Sequence, residues 1–155
     1  MKKRTPKKRN NSKYLFFYIV ILIFSIDQIS KYLGATLDGT TLIPKILNWT
    51  YVLNTGAAFG ILSGGKYILG IINLIVAGII IQIVFKNKFN NILTLALSFI
   101  TGGALGNAYD RLFRIGVIDF LDLGWWPVFN LADSFIIIGI FLLIAMEIKD
   151  YLKEK

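Results

Sequence analysis

The chain has 155 residues, enough for one domain or one compact bundle; 55% are hydrophobic and 17% charged, and the mean hydropathy is +0.65. A water-facing domain of this size needs more polar surface, so the apolar excess has to face lipid. The sequence contains no cysteine and no histidine, which excludes disulfides, thiolate metal sites, cysteine nucleophiles, Ser-His-Asp triads and the common zinc sites; acid–base chemistry must come from Asp, Glu, Lys, Tyr or water.

Seven of the 17 cations lie in the first thirteen residues: Lys2, Lys3, Arg4, Lys7, Lys8, Arg9 and Lys13. No aromatic–basic interleaving follows, which disfavours nucleic acid. The tail directly precedes an apolar run, as a cytoplasm-retained membrane flank does. Four apolar stretches follow, over residues 14–36, 66–85, 91–108 and 131–148. At ~1.5 Å per residue each approximates the ~30 Å hydrocarbon core, and in lipid each must satisfy its own backbone as a helix. The first resembles a signal peptide over residues 14–26, where Ser25 is the one polar residue. It lacks a small-x-small cleavage site, and Asp27 and Lys31 come next, so it reads as a retained helix.

With the tail inside, Lys86, Lys88, Lys149, Lys153 and Lys155 are inside too, giving twelve cations there against four outside: Lys45, Lys66, Arg111 and Arg114. Both termini are therefore expected in the cytoplasm, and the loops 37–65 and 109–128 are expected outside. This topology collects polar residues at one level near the outer surface. Asp27 and Lys31 lie in the outer half of the first helix; Asn107, Asp110 and Arg111 end the third; Asn130 and Asp133 begin the fourth. Asn73 and Gln82 are the exceptions, in the second helix.

Ionisable groups at that depth are costly. Asp27 and Lys31, four apart on one helix face, can pair. Asp119, Asp122 and Asp133 nevertheless outnumber Arg111 and Arg114 nearby, and surplus carboxylates point to chemistry or to a cation site. Gly102 and Gly106 form a GxxxG pair suited to close helix packing. Gly103, Asn107, Asp110 and Arg111 step along one face, small at depth and polar at the rim, which admits either a neighbouring helix or a substrate segment. Asn130 suits an N-cap, with Asp133 three residues on as an N3 acid. A second carboxylate close to Asp133 would have to share a proton with it. Asp119 and Asp122 both qualify, and spacing leaves that choice open.

A water-activating pair of aspartates is then the most economical hydrolytic machinery; it requires no metal and no cofactor. Ser30 and Lys31 are adjacent on a helix and do not face each other, although Lys31 with a serine elsewhere stays open. The alternative from another class is a small proton-coupled four-helix transporter. Its acids belong near the midplane, whereas these collect at one rim, and no inverted repeat is visible.

Five blocks carry a family likeness, in order: Asp27-Gln28-Ile29-Ser30-Lys31; Asn54-Thr55-Gly56-Ala57-Ala58-Phe59-Gly60; residues 102–111, Gly-Gly-Ala-Leu-Gly-Asn-Ala-Tyr-Asp-Arg; Gly116-Val117-Ile118-Asp119-Phe120; and Phe129-Asn130-Leu131-Ala132-Asp133. Together they resemble prolipoprotein signal peptidase (signal peptidase II), an aspartic peptidase of the bacterial cytoplasmic membrane. The resemblance implies that Asp119 and Asp133 form the catalytic dyad. It implies a substrate that is a diacylglyceryl-modified prolipoprotein, cut before its lipidated cysteine, and inhibition by globomycin-type cyclic peptides. Asn54, Gly56, Gly103, Asn107, Arg111, Asn130 and Ala132 would line or support the site, and Asp27, Lys31 and Asp110 would hold the framework. A small extracytoplasmic β-cradle is implied after the first helix. Residues 47–62 suit it, since Trp49, Tyr51 and Val52 favour strand. The expectation is thus an integral membrane, mainly α protein: one membrane-embedded peptidase domain over 1–155, acting as a monomer, with four transmembrane helices, a β-cradle and an external loop between helices three and four. Trp49, Trp125 and Trp126 fall in the external loops, where indoles suit the interface.

Overall fold

The computed structural model describes residues 12–34, 36–56, 64–153 and 155. The basic tail before Ser12, and the part of the second block and of the cradle segment over 57–62, lie outside the described residues. Four helices are long and apolar enough to cross a membrane: α1 (Ser12–Gly34), α2 (Lys66–Lys86), α3 (Asn91–Phe113) and α4 (Leu131–Lys153). Three strands, β1 (Thr40–Ile43), β2 (Leu47–Asn54) and β3 (Val117–Asp122), form an antiparallel sheet in the order β1-β2-β3.

The centre of the bundle is α3, which packs against α1, α2 and α4. Its small residues make that possible. A Cβ on Gly102 would come 2.7 Å from Ile23 Cγ2, and one on Gly106 would collide with the Asp27 carboxylate, so both seat α1. A Cβ on Gly103 would collide with the Ala132 carbonyl oxygen, and one on Gly139 would come 2.8 Å from that of Ala96, so these two seat α3 against α4. Close backbone approach is how helices associate where lipid is as apolar as any leucine. The other helices turn apolar residues outward, with Ile21 65%, Ile75 55% and Phe141 66% exposed, as lipid-facing surfaces do. Away from the sheet, Phe16, Val20, Ile80, Val84, Leu97 and Ile100 form the buried apolar core.

Three helices outrun their apolar windows at the C-terminal end, whereas α1 starts two residues before its window and stops two short of its end. The third continues to Phe113 and the fourth to Lys153, while α1 runs from Ser12 to Gly34. Hydropathy marks where lipid contact stops, whereas a helix continues until its hydrogen bonding does. At the end of α3, Asp110 and Arg114 pair at 3.1 Å, holding as helix a turn that the sequence assigned to loop. The segment between α3 and α4, expected as a loop, also contains β3, so it is partly strand.

The sheet sits at the α1 C-terminus. Trp49 stacks on Phe120 with centroids 4.5 Å apart, and its indole Nε1–H donates to the Gly34 carbonyl at 3.1 Å. Val52 pairs with Asp119 and Asn54 with Val117, after an irregularity between Trp49 and Val52. Leu121 of β3 bridges to Phe129, after which the chain enters α4 at Leu131.

Candidate active site

β3 places one acid and α4 the other. In a strand alternate side chains share a face: Val117 and Asp119 line one cavity of about 770 Å³, while Ile118 and Phe120 approach Gly34 of α1. Asp122, three residues on, has the opposite parity. It accepts from the Thr50 hydroxyl at 3.1 Å and the Gly124 N–H at 2.7 Å, and it does not line the cavity. Asp133 does line it. Asn130 and Asp133 form a reciprocal capping box: Asp133 N–H donates to Asn130 Oδ1 at 3.0 Å, and Asn130 N–H donates to Asp133 Oδ2 at 3.3 Å.

Three asparagines direct their amide NH2 groups at the two acids. Asn130 Nδ2 donates to Asp119 Oδ1 at 2.6 Å, Asn54 Nδ2 to Asp119 Oδ2 at 3.0 Å, and Asn107 Nδ2 to Asp133 Oδ1 at 2.8 Å. In each case a donor on the amide oxygen fixes that orientation: Asp133 N–H on Asn130, Gly56 N–H on Asn54 at 2.9 Å, and Lys31 Nζ on Asn107 at 3.0 Å. An amide whose oxygen is so occupied has only its NH2 to offer a carboxylate. Burial pushes the Asp119 carboxyl up to about 6, and the negative charge of Asp133 adds to this; the bonds from Asn54 and Asn130 and the charge of Lys31 oppose it.

A second cluster lies behind the first. Lys31 Nζ contacts Asp27 at 2.8 Å and Asp110 at 2.7 Å, with all three side chains fully buried. Arg114 closes on the other oxygen of Asp110, so two carboxylates meet two cations. Asp27 Oδ1 also accepts from Ala132 N–H at 3.0 Å, tying α1 to the first turn of α4. Lys31, through Asn107, joins this cluster to Asp133.

Of the supporting residues, Asn54, Gly56 and Arg111 line the cavity with the two acids. Asn107, Asn130, Ala132 and Gly103 stand behind them. The face expected over Gly103, Asn107, Asp110 and Arg111 divides three ways. Gly103 and Asn107 meet α4, Asp110 meets Lys31 of α1, and Arg111 NH2 donates to the Gly56 carbonyl at 3.3 Å. Its small end is filled by Ala132, not open to a substrate. Buried Nε of Arg111 has no hydrogen-bond partner among the described residues, leaving a donor at the cavity wall. Two contributors escaped sequence reasoning. Gln28 Nε2 donates to Asp27 Oδ2 at 3.1 Å, and its place beside Asp27 was the available signal. Gly116, whose Cβ would come 2.7 Å from the Asn54 carbonyl oxygen, lets β2 and β3 close over the site. Trp125 and Trp126, with Ile136 and Ile137 on α4, line the same cavity. No group of three or more acids placed to hold a metal occurs among the described residues.

Four spanning helices with a polar site at the sheet end define a membrane-embedded enzyme. The chain is similar to a bacterial membrane enzyme solved in meso at 2.3 Å resolution, with a TM-score of 0.83, 35% identity, and coverage of 91% of this chain and 92% of that one. Residues 19–149 match the family described as signal peptidase (SPase) II. The lipoprotein signal peptidase of Syntrophomonas wolfei is 41% identical over 144 residues, 90% of this chain and 97% of that protein. That of Halothermothrix orenii is 39% identical over 135 residues, 84% and 92% respectively. The chain belongs to the signal peptidase II family, and is a multi-pass membrane protease.

Proposed function

We propose that this protein is an aspartic endopeptidase that removes signal peptides from diacylglyceryl-modified prolipoproteins, cleaving before the lipidated cysteine, with Asp119 and Asp133 as its dyad. The observation that carries this reading is that both acids, 14 positions apart in sequence, line one cavity and share Asn130. Neither lies within 4 Å of a cationic nitrogen among the described residues: Lys31 and Arg114 pair with Asp27 and Asp110, and Arg111 donates to the Gly56 carbonyl.

In the proposed reaction the ionised acid takes a proton from water, and the water oxygen bonds to the scissile carbonyl carbon. The protonated acid donates to the carbonyl oxygen. Collapse breaks the C–N bond as a proton passes to the leaving amine, giving a carboxylic acid and the free amino group of the lipidated cysteine. Asp119 holds the shared proton at rest, because burial and its neighbour raise its affinity. A substrate filling the cavity excludes water and strengthens that hold. Arg111, with its uncommitted Nε, binds substrate backbone carbonyls.

A lipid-linked substrate keeps its acyl chains in the bilayer while its scissile bond reaches the headgroup level. The cavity suits this, polar at the sheet and apolar along Ile136 and Ile137. The excess of cations on the other side of the membrane favours cytoplasmic termini and a site near the outer leaflet of the bacterial cytoplasmic membrane. One domain spanning 1–155, working as a monomer without cofactor, supplies every group required, and globomycin-type peptides would inhibit it by occupying the dyad. The test is cleavage of a lipidated precursor by Asp119→Asn and Asp133→Asn. Both are expected to fold and to be inactive, and normal turnover by either refutes the dyad.

A further inference from the structure

Far from the acids, α1 and α2 converge at one end and part at the other. Near the α2 C-terminus they touch: Phe17 and Phe85 rings lie 5.6 Å apart, and Lys13 Nζ donates to the Phe85 carbonyl at 2.7 Å. Toward the sheet they separate, each resting on α3, and leave an apolar groove of about 500 Å³. Val20 and Phe24 form one wall, Leu74 the other, and Leu105, Tyr109 and Phe113 the floor. From Leu105 to Phe113 the floor rises ~12 Å, close to the ~15 Å of hydrocarbon in one leaflet.

The mouth of this groove is basic. Arg114, which reaches Asp110 through one guanidinium nitrogen at 3.1 Å, also lies over the Tyr109 ring at 5.5 Å, and its side chain is 33% exposed. Lys66 Nζ donates to the Arg114 carbonyl at 2.9 Å and pairs with no carboxylate among the described residues. Lys66 and Arg114 therefore stand where a headgroup phosphate lies when an acyl chain fills the groove. We propose that this groove is a binding site for one anionic membrane phospholipid, its acyl chain between α1 and α2 and its phosphate at Lys66 and Arg114. The site is separate from the cavity that contains Asp119 and Asp133, and does not depend on the reaction assigned there.

The test uses the full chain reconstituted in equal parts phosphatidylglycerol and phosphatidylcholine, then examined by native mass spectrometry. One retained phosphatidylglycerol is expected, in preference to phosphatidylcholine. Lys66→Gln is expected to lower that preference about fivefold, the factor for one basic residue near an anionic surface. Leu74→Trp, which fills the groove, is expected to abolish retention. Brominated phosphatidylglycerol reads the same site without that variant: it should quench the fluorescence added by Tyr109→Trp more than brominated phosphatidylcholine does. Equal retention of the two lipids, unmoved by Lys66→Gln, or equal quenching by both, would overturn the proposal. Displacement of phosphatidylglycerol by a lipidated precursor peptide would also overturn it, by assigning the groove to substrate.

Discussion

Two acidic clusters share one end of this bundle and are built oppositely. Asp27 and Asp110 face Lys31 and Arg114 at 2.7 to 3.1 Å and are fully buried. Among the described residues, Asp119 and Asp133 have only amide and backbone donors within hydrogen-bond reach. Breaking a charge-matched buried cluster exposes uncompensated charge. An unmatched pair held by amides keeps a proton in play. The difference separates a joint that fixes helices from a pair able to do chemistry.

The largest effect should come from the unmatched pair. Asp119→Asn is expected to lower cleavage of a lipidated precursor by about 10²- to 10⁴-fold, the range for loss of acid–base catalysis, without lowering the thermal midpoint. The sign follows from linkage: the folded-state affinity of Asp119 is raised from 3.8 to about 6, so its ionised form costs stability above that pH, and the amide removes the cost. Lys31→Met should do the reverse to the fold. It strands Asp27 and Asp110 and is expected to cost about 3–5 kcal/mol by thermal or denaturant unfolding, with activity falling as Asn107 loses its orienting donor. Gly106→Ala, forcing a methyl against the Asp27 carboxylate, is expected to cost about 1–3 kcal/mol in the same assay.

A finer test is the pH profile of kcat/KM. The protonated dyad is depleted as pH rises through the Asp119 range, so activity should fall on that basic limb. Asn54 stabilises the ionised carboxylate; Asn54→Ala should therefore move the limb to higher pH while lowering the maximum. The smallest effect is expected at Asp122, engaged by Thr50 and Gly124 away from the cavity. Asp122→Asn should keep substantial activity; an inactive Asp122→Asn beside an active Asp119→Asn would reverse the assignment.

Much of this arrangement is legible in the residues, because lipid imposes simple rules. Runs of some twenty apolar residues must be helices, and the Asn130–Asp133 spacing is a capping box in sequence as in space. The choice between Asp119 and Asp122 was not legible by spacing, because it depends on strand parity, which the pairing of β3 with β2 sets over a long chain separation. The family likeness pointed to Asp119, the acid that faces Asp133's cavity. The fate of Gly103 was also hidden: a small residue on a polar face reads equally as a port or as a socket, and only the position of the Ala132 carbonyl distinguishes them.

Trp49 has a consequence beyond packing. Its ring on Phe120 and its indole on Gly34 brace the strand that carries Asp119 against α1, while Asp133 belongs to α4. The two acids thus ride on different bodies, one on a strand platform and one on a helical mast. Their spacing is a mechanical tolerance, set by how stiffly that platform is stepped onto the end of α1.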